Sequence, residues 1–265
     1  MPFFPFIKAE ALGNDFVMLH KNHFKNDKVF IQKLADRRRG IGFDQLIVYT
    51  DDCEIRFFNR DGSEAEACGN GTRCVGFFLA HQRQQKSLTL KTLAGPLSLT
   101  VLKDSYPFGQ VKVTLQPPKL MLKTEELTQD IHWFFDQENF INIFAVDVGN
   151  PHLILFLQDM RHVNIQAIAP QLEHHPFFKR GANISFISMK KEGELCLRVW
   201  ERGVGATPAC GTAAYAASFS YHLLQPQIKH VKVVQEGGEL FFDQIEDQWF
   251  MTGEARILYA GEFYN

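Results

Sequence analysis

The sequence predicts an α+β fold made of two similar lobes, and three observations support this. Most of the chain divides into short segments rich in β-branched and aromatic residues, separated by Gly, Asp, Asn and Pro, which is typical of strands. Two segments have the composition of helices instead, and they begin near Cys68 and near Cys210. The stretch around the first of these cysteines is echoed around the second.

The predicted strands follow one another through both halves of the chain. Those of the first half are 43–50, 53–59, 87–93, 96–102 and 110–118. Those of the second half are 144–149, 152–157, 194–202 and 230–236, with further strand-like segments over 239–264. Pro117 and Pro118 mark the boundary between the halves. We therefore expect an N-terminal lobe of residues 1–117 and a C-terminal lobe of residues 118–255, with about 256–265 returning to the first.

Two helices are well marked. The first contains CVGFFLAHQRQQ, and the second, GTAAYAASFSYHLLQ, is alanine-rich and stops before Pro226, which cannot continue a helix. Further helices are expected at 28–37 and around 164–173.

The two helices belong to an internal duplication. When Cys68 is placed over Cys210, CEIRFFNRDGSEAEACGNGTR aligns with LCLRVWERGVGATPACGTAAY. Both stretches predict a strand, a polar turn, Ala-Cys-Gly and a helix, with Ala67 over Ala209. GND at 13–15 is similarly echoed by GNP at 149–151. Each lobe therefore contributes one cysteine at the start of a helix.

A cysteine at a helix N-terminus suits acid–base chemistry. The unpaired N–H groups and the partial positive charge there favour a thiolate, and they also bind a carboxylate. If the two helix ends faced each other, one thiolate could remove the α-proton of an amino acid while the opposite thiol returned a proton to the other face. This chemistry requires neither a metal nor a pyridoxal cofactor, and no Rossmann or P-loop fingerprint is present.

Composition excludes several other classes of function. The net charge is −2 and no long basic stretch occurs, which argues against nucleic-acid binding. The longest apolar run has about five residues, too few to cross a membrane, and the N-terminus does not resemble a signal peptide. An odd number of cysteines without an export signal indicates free thiols in the cytoplasm. We assign Cys53 and Cys196, in strands, and Cys74, within a helix, to structure, and no zinc-site spacing is found.

Several motifs together resemble the diaminopimelate epimerase family. They run in order from residue 11 to residue 263 and comprise ALGNDF, RGIGFDQLIV, NRDGSEAEACGNGTRC, GNPH, GANISFI, ERGVGATPACGTAA and MTGEARILYAGEF. The resemblance implies a cofactor-independent enzyme of lysine and peptidoglycan precursor synthesis that interconverts LL- and meso-diaminopimelate. It also implies a curved, mostly antiparallel sheet wrapped round a central helix in each lobe, and a homodimer with Tyr259 at its interface.

The resemblance carries roles for particular residues. It places the catalytic pair on Cys68 and Cys210, and the side chains that tune the two thiols on His152 and Glu201. Polar residues that would hold the substrate are Asn14, Gln45, Asn59, Asn150, Asn183, Glu201 and Arg202. The backbone donors to the reacting carboxylate would be Gly69, Asn70, Gly211 and Thr212. One position departs from the family pattern, since Ala206 stands where a glutamate is usual.

Three alternatives remain. A racemase of another amino acid could share the fold, although so many polar groups would stay unpaired over a small side chain. A non-catalytic amino-acid-binding protein would not need two thiols. A redox switch would join Cys68 and Cys210 in a disulfide.

Overall fold

The computed structural model of the chain describes residues 3–65, 68–123, 140–161 and 163–264. Within them the backbone folds as two units that divide after Thr114 and again after Met251, so the first unit also holds the C-terminal end. Both divisions lie a few residues before the boundaries expected from the sequence. Ala67, part of the predicted repeat, lies outside the described residues.

The first unit carries eight strands among its described residues: β1 Phe3–Ala11, β2 Asn14–His20, β3 Gln45–Tyr49, β4 Ile55–Asn59, β5 Glu64–Ala65, β6 Ser87–Thr92, β7 Gly95–Ser105 and β8 Phe108–Leu115. Its helices are a short 3-10 turn, Lys21–His23, then α1 Lys28–Ala35 and α2 Gly69–Gln82. Strand β2 runs parallel to β3, whereas β1 with β2, β3 with β4, β4 with β5, β6 with β7 and β7 with β8 are antiparallel pairs.

The second unit repeats this order. Its strands are β9 Lys119–Lys123, β10 Phe140–Asp147, β11 Pro151–Leu157, β12 Asn183–Lys191, β13 Glu194–Glu201, β14 Gly205–Thr207, β15 His230–Gln235 and β16 Gly238–Ile245, and its helices are α3 Ile165–Glu173 and α4 Gly211–Leu224. The last strand, β17 Gln248–Tyr264, crosses into the first unit, where it pairs antiparallel with β1.

The connectivity confirms the duplication predicted from the sequence. In the first unit a parallel pair, β2 and β3, is followed by antiparallel β4 and β5 and then by α2. In the second unit parallel β11 and β12 are followed by antiparallel β13 and β14 and then by α4. The fold is α+β and mostly antiparallel, as expected.

Helix α2 lies at the centre of the first unit. Every residue from Asn70 to Ala80 is buried, and the helix contacts β1, β2, β3, β6 and β7. A Cβ on Gly76 would lie 2.1 Å from Leu99 Cδ2, so a glycine is needed for this close approach. Helix α4 is buried in the same way, and it contacts β10, β11, β12, β13, β15 and β16. A helix buried on all sides needs no polar face.

The outer helices α1 and α3 provide the crossovers that parallel pairing requires. In α1, Phe30, Ile31 and Leu34 pack into one core cluster with residues of β2, β3 and β4. In α3, Ile165 and Leu172 pack into the corresponding cluster with β11 and β12. The N-termini of β2 and β3, and likewise of β11 and β12, therefore lie side by side.

Six strands and one turn were not predicted correctly. Strands β1, β2, β5, β9, β12 and β14 were missed. In β2 four consecutive residues are buried, and in β12 five, so alternation between apolar and polar residues is absent. This is the pattern of strands covered on both faces. Cys53, expected in a strand, lies in a turn with φ 60° just before β4. No described helix is long and apolar enough to cross a membrane.

Candidate active site

Cys68 is the N-cap residue of α2. Its backbone is extended, with φ −146°, and its Sγ accepts a hydrogen bond from the Gly71 N–H at 3.3 Å. A Cβ on Gly71 would lie 3.0 Å from Ile47 Cδ1 and from Phe57 Cε1. The first turn of α2 is therefore packed directly on β3 and β4, and this packing fixes the position of the half-buried Cys68 thiol.

Arg73, which the sequence did not single out, holds the same turn from within. Its guanidinium is fully buried and donates to Gly69 O at 3.3 Å, to Asn70 Oδ1 at 2.8 Å and to Glu254 O at 3.1 Å. Burial lowers the pKa of Arg73, and the nearby Cys74 and Cys68 act in the opposite direction. A buried cation is thus hydrogen-bonded to the first turn of α2, which begins directly after Cys68.

Three predicted binding residues meet at one end of the first unit's sheet. Asn14 begins β2, Gln45 begins β3 and Asn59 ends the antiparallel β4. Gln45 Nε2 donates to Asn59 Oδ1 at 3.0 Å, and Asn59 Nδ2 donates to Ser63 Oγ at 3.0 Å. Asn14 Oδ1 and Gln45 Oε1 are buried without a hydrogen-bond partner among the described residues. Buried acceptors of this kind are rare, so a ligand donor at this end would satisfy them.

Cys210 is the N-cap residue of α4 and is only 7 % exposed. Its backbone N–H donates to Gln235 Oε1 at 2.8 Å, and its Sγ lies 3.3 Å from Thr212 Oγ1. Burial raises the pKa of the Cys210 thiol, the Glu201 carboxylate raises it further, and the Thr212 hydroxyl partly offsets both. This cysteine is therefore a protonated thiol at neutral pH. Gln235 was not predicted, since it follows Cys210 by a whole helix and strand.

Glu201 ends β13 and is held by the Thr207 hydroxyl, which donates to Oε1 at 2.6 Å. Thr207 follows Ala206, the position at which the sequence departs from the family pattern. The Ala206 change therefore leaves the hydrogen bond between Thr207 and Glu201 in place.

His152 is fully buried beside Asn183, its partner across the parallel β11–β12 pair. Its Nε2 lies 3.1 Å from Asn150 Oδ1 and 3.4 Å from Asn183 Nδ2. Burial lowers the pKa of His152 to about 3, with a smaller effect from the charge of Arg202, so the ring is neutral. With Asn150 Oδ1 as acceptor, Nε2 carries the proton. Nδ1 is then a buried acceptor without a partner among the described residues.

Arg202 is exposed and is fixed through its backbone and one terminal nitrogen. Its N–H donates to Asn183 Oδ1 at 3.0 Å, and NH1 donates to Arg180 O at 3.0 Å and to Gly181 O at 3.4 Å. No acceptor among the described residues contacts Nε or NH2, so two sides of the guanidinium remain open to a ligand.

The four backbone donors predicted for the carboxylate lie in the first turns of the two buried helices. Gly69 and Asn70 open α2, and Gly211 and Thr212 open α4. The N–H groups of a first turn have no partner within their helix.

Comparisons with known proteins identify the family of this chain. The family model described as diaminopimelate epimerase matches residues 6–121 and 144–258. The diaminopimelate epimerase of Carboxydothermus hydrogenoformans is 35% identical, over 98% of this chain and 99% of that protein. The chain belongs to the diaminopimelate epimerase family. The resemblance found in the sequence is thereby confirmed.

Solved structures show how widely this fold is shared. A PhzF-family phenazine biosynthesis protein of Bacillus anthracis superposes with a TM-score of 0.73 and 18% identity, covering 100% of both chains. A hydroxyproline epimerase of Agrobacterium vitis superposes with a TM-score of 0.66 and 10% identity, covering 99% of this chain and 91% of that one. At such identities the likeness concerns the fold alone.

In this member of the diaminopimelate epimerase family the two units carry different groups at equivalent places. Asn59 ends β4 where Glu201 ends β13, and Phe16 pairs with Gln45 where His152 pairs with Asn183. The second unit therefore has an acid and an imidazole where the first has an amide and a phenyl ring. Cys210 therefore has an anionic neighbour, Glu201, at the place where the first unit has the neutral Asn59.

The remaining cysteines of this family member have structural surroundings. Cys74 is fully buried, its Sγ donates to Glu10 O at 3.3 Å, and burial raises its pKa to about 12. Cys53 is buried, and Cys196 packs against the core cluster of the second unit. Among the described residues no group of His, Cys, Asp and Glu could hold a metal ion.

Proposed function

We propose that the chain interconverts LL- and meso-diaminopimelate by proton transfer at one α-carbon, with Cys68 and Cys210 as the two acid–base groups. The observation that carries this proposal is the occurrence of an N-cap cysteine in both duplicated units. In a family of diaminopimelate epimerases, each of two duplicated units places a cysteine as the N-cap of a helix whose central residues are mostly buried. For this reaction both helix N-termini must reach one substrate.

The proton balance is simple. The thiolate of one cysteine takes the α-proton, so the Cα–H bond breaks and an S–H bond forms. The thiol of the other cysteine gives its proton to the opposite face of the same carbon and becomes a thiolate. The buried thiol of Cys210 is suited to the role of proton donor. Cys68 is suited to the role of thiolate base, because its Sγ accepts a hydrogen bond from the Gly71 N–H near the buried Arg73. By the family's assignment these are the roles in the meso-to-LL direction, and they exchange in the LL-to-meso direction, where Cys68 is the donor and Cys210 the acceptor.

The first-turn N–H groups of both helices would bind the carboxylate next to the reacting carbon. Charge on that carboxylate grows as the α-proton leaves, and fixed N–H donors stabilise it most in the transition state. Gly69, Asn70, Gly211 and Thr212 supply these donors. With charge stabilised in this way the reaction as proposed uses no metal and no pyridoxal group.

The distal end of diaminopimelate is a second amino acid, with an ammonium and a carboxylate. Asn14 Oδ1 and Gln45 Oε1 are buried acceptors of the first unit without a partner among the described residues, and Arg202 in the second unit has donors that no described acceptor contacts. Asn59, Asn150 and Asn183 complete the proposed binding set. Glu201 and His152 would tune the thiols, Glu201 through its effect on Cys210.

A comparison of substrates tests this proposal. Purified, reduced protein is incubated separately with LL-diaminopimelate, L-proline and L-lysine, and the products are separated by chiral chromatography. Formation of the meso isomer from the first substrate only is the expected result. Turnover of L-proline or L-lysine instead would favour a racemase of another amino acid. Binding of diaminopimelate without any turnover would favour a binding protein.

The proposal extends to assembly and place of action. Tyr259 on β17 is 50 % exposed, and its ring lies 6.1 Å from that of Phe6. We place it at a homodimer interface, and Tyr259→Ala should shift the mass measured by light scattering toward the monomer. We place the reaction in lysine and peptidoglycan precursor synthesis in the cytoplasm, where the thiols stay reduced.

A further inference from the structure

The starts of β2 and β3 are joined by charged side chains to which the proposed function gives no role. Asp15 directly follows Asn14, and Asp44 directly precedes Gln45. The two aspartates exchange hydrogen bonds through their backbones. The Asp44 N–H donates to Asp15 O at 2.9 Å and to Asp15 Oδ1 at 3.0 Å, and the Asp15 N–H donates to Asp44 Oδ2 at 3.3 Å.

Arg37 bridges both carboxylates. Its NH1 donates to Asp15 Oδ2 at 2.9 Å, while NH2 donates to Asp15 Oδ1 at 2.7 Å and to Asp44 Oδ1 at 2.8 Å. This fork geometry requires a planar guanidinium, which a lysine cannot reproduce. The buried Lys8 holds Asp15 from β1, with Nζ 2.6 Å from Asp15 Oδ2 and a further bond to Gly42 O.

The electrostatics require the arginine. Burial acts to raise the pKa of Asp15, but bonds from Arg37 and Lys8 outweigh it and hold the pKa well below its usual range. Burial and the neighbouring Asp15 raise the pKa of Asp44. Without Arg37 the two carboxylates would repel each other at the point where β2 and β3 begin.

Arg37 differs from its neighbours in the sequence because its side chain is bonded to two carboxylates. Arg38 and Arg39 extend the same basic run, but it is their backbone N–H groups that are used, donating to Asp36 Oδ1 at 2.7 Å and 2.9 Å. The side chains of all three arginines are exposed, so the bonds to the two carboxylates, and not burial, distinguish Arg37. One member of the run is therefore built into the sheet end, and another provides a matched control.

We infer that Arg37 is a positioning residue for the substrate site, because its fork to Asp15 and Asp44 fixes the adjacent Asn14 and Gln45. The inference rests on the proposed function, in which the buried, unpartnered oxygens of those two amides bind the distal end of the substrate. In this inference Arg37 acts through the two aspartates and not by contact with the substrate.

Steady-state kinetics on the full chain test the inference. In Arg37→Gln the KM for diaminopimelate should rise about tenfold, which is the loss of affinity expected when the displaced amides lose about one hydrogen bond to the charged substrate. The kcat should change by less than about threefold. Arg38→Gln is the control and should match the wild type. In the double variant Arg37→Gln/Asp44→Asn the KM should fall most of the way back to the wild-type value. An amide at position 44 removes the repulsion between the two carboxylates and can donate to Asp15. Arg37→Lys should lie between the wild type and Arg37→Gln.

A second readout does not depend on turnover. The side-chain amide NMR signals of Asn14 and Gln45, assigned from their alanine variants, should shift in Arg37→Gln and stay in place in Arg38→Gln. If the wild type neither binds nor epimerises diaminopimelate, the proposed function is wrong. The NMR signals still show whether Arg37 fixes the position of the two amides. An unchanged KM and unmoved amide signals in Arg37→Gln, or a KM not restored by the Asp44→Asn partner, would overturn the inference. If Arg37→Gln does not fold, Arg37→Lys decides by the same two measurements.

Discussion

The unlike surroundings of the two cysteines lead to a prediction about Glu201. Its carboxylate raises the pKa of the Cys210 thiol, second only to burial. Replacing Glu201 by Gln keeps the shape and the capacity to accept from Thr207 but removes the negative charge. The thiolate of Cys210 is then no longer disfavoured by a neighbouring anion. The pKa of Cys210 should fall, and its reactivity at a fixed pH should rise.

The size of the effect follows from the site. Cys210 is 7 % exposed, so water screens the interaction little. A like charge next to a buried titratable group shifts its pKa by about 1 to 3 units. Each unit by which the pKa of Cys210 is lowered gives about tenfold more thiolate at a pH below that pKa. The nucleophilicity of the thiolate falls at the same time by about threefold. The net acceleration is therefore roughly threefold per unit, or about 3- to 40-fold for Glu201→Gln.

The assay is the rate of reaction with a small disulfide reagent at pH 8. It is performed in a Cys68→Ser background, and the modified cysteine is located by peptide mass mapping, since Cys53, Cys74 and Cys196 are also present. Glu194→Gln is the matched control. Glu194 begins the same strand that Glu201 ends, and its carboxylate pairs with Lys190 and Lys191 at 3.2 Å and 3.4 Å.

The expected ordering is a faster Cys210 in Glu201→Gln and an unchanged Cys210 in Glu194→Gln. A rate in Glu201→Gln within twofold of the background, or below it, would refute the idea that this carboxylate holds the thiol protonated. Equal acceleration in both variants would point to net charge and not to Glu201.

Two further predictions concern stability. Gly76→Ala should lower the free energy of unfolding by about 1 to 3 kcal/mol, because its Cβ would lie 2.1 Å from Leu99 Cδ2. Urea denaturation measures this, and unchanged stability would contradict the packing described. His152, with its pKa lowered from 6.5 to about 3 by burial, contributes stability that is present above pH 6.5 and is lost as the pH falls toward 3. Between pH 7 and pH 5 the loss should reach about 2 kcal/mol and be absent in His152→Asn, so equal pH dependence in both proteins would disprove it.

The fold was predictable where its pattern is local. Polar turns and the repeated Ala-Cys-Gly gave both buried helices and the duplication. Strands β2 and β12 were missed because parallel pairing on one side and helices on both faces bury consecutive residues. Their sequences then lack the alternation that identifies a half-buried strand. The identity of a doubly covered strand depends on partners far along the chain.

The same distinction applies to the site. A cysteine before a glycine-rich helix start indicates its chemistry from adjacent residues. Contacts made between distant parts of the chain gave no sequence signal, such as Arg73 donating to Glu254 O, or Gln235 accepting from the Cys210 N–H. The basic run at Arg37 was visible in the sequence, but only the fold shows which of its members holds two carboxylates.

The most direct test of the central claim follows the α-proton itself. LL-diaminopimelate is incubated in deuterated water with reduced wild-type protein, Cys68→Ser and Cys210→Ser, and the products are analysed by chiral separation and mass spectrometry. Two-thiol catalysis predicts a meso product with one deuterium at the inverted α-carbon in the wild type, and loss of most of this activity in both variants. If the wild type binds diaminopimelate but exchanges no α-proton, or if either serine variant keeps the wild-type rate, the roles assigned to the cysteine pair are wrong.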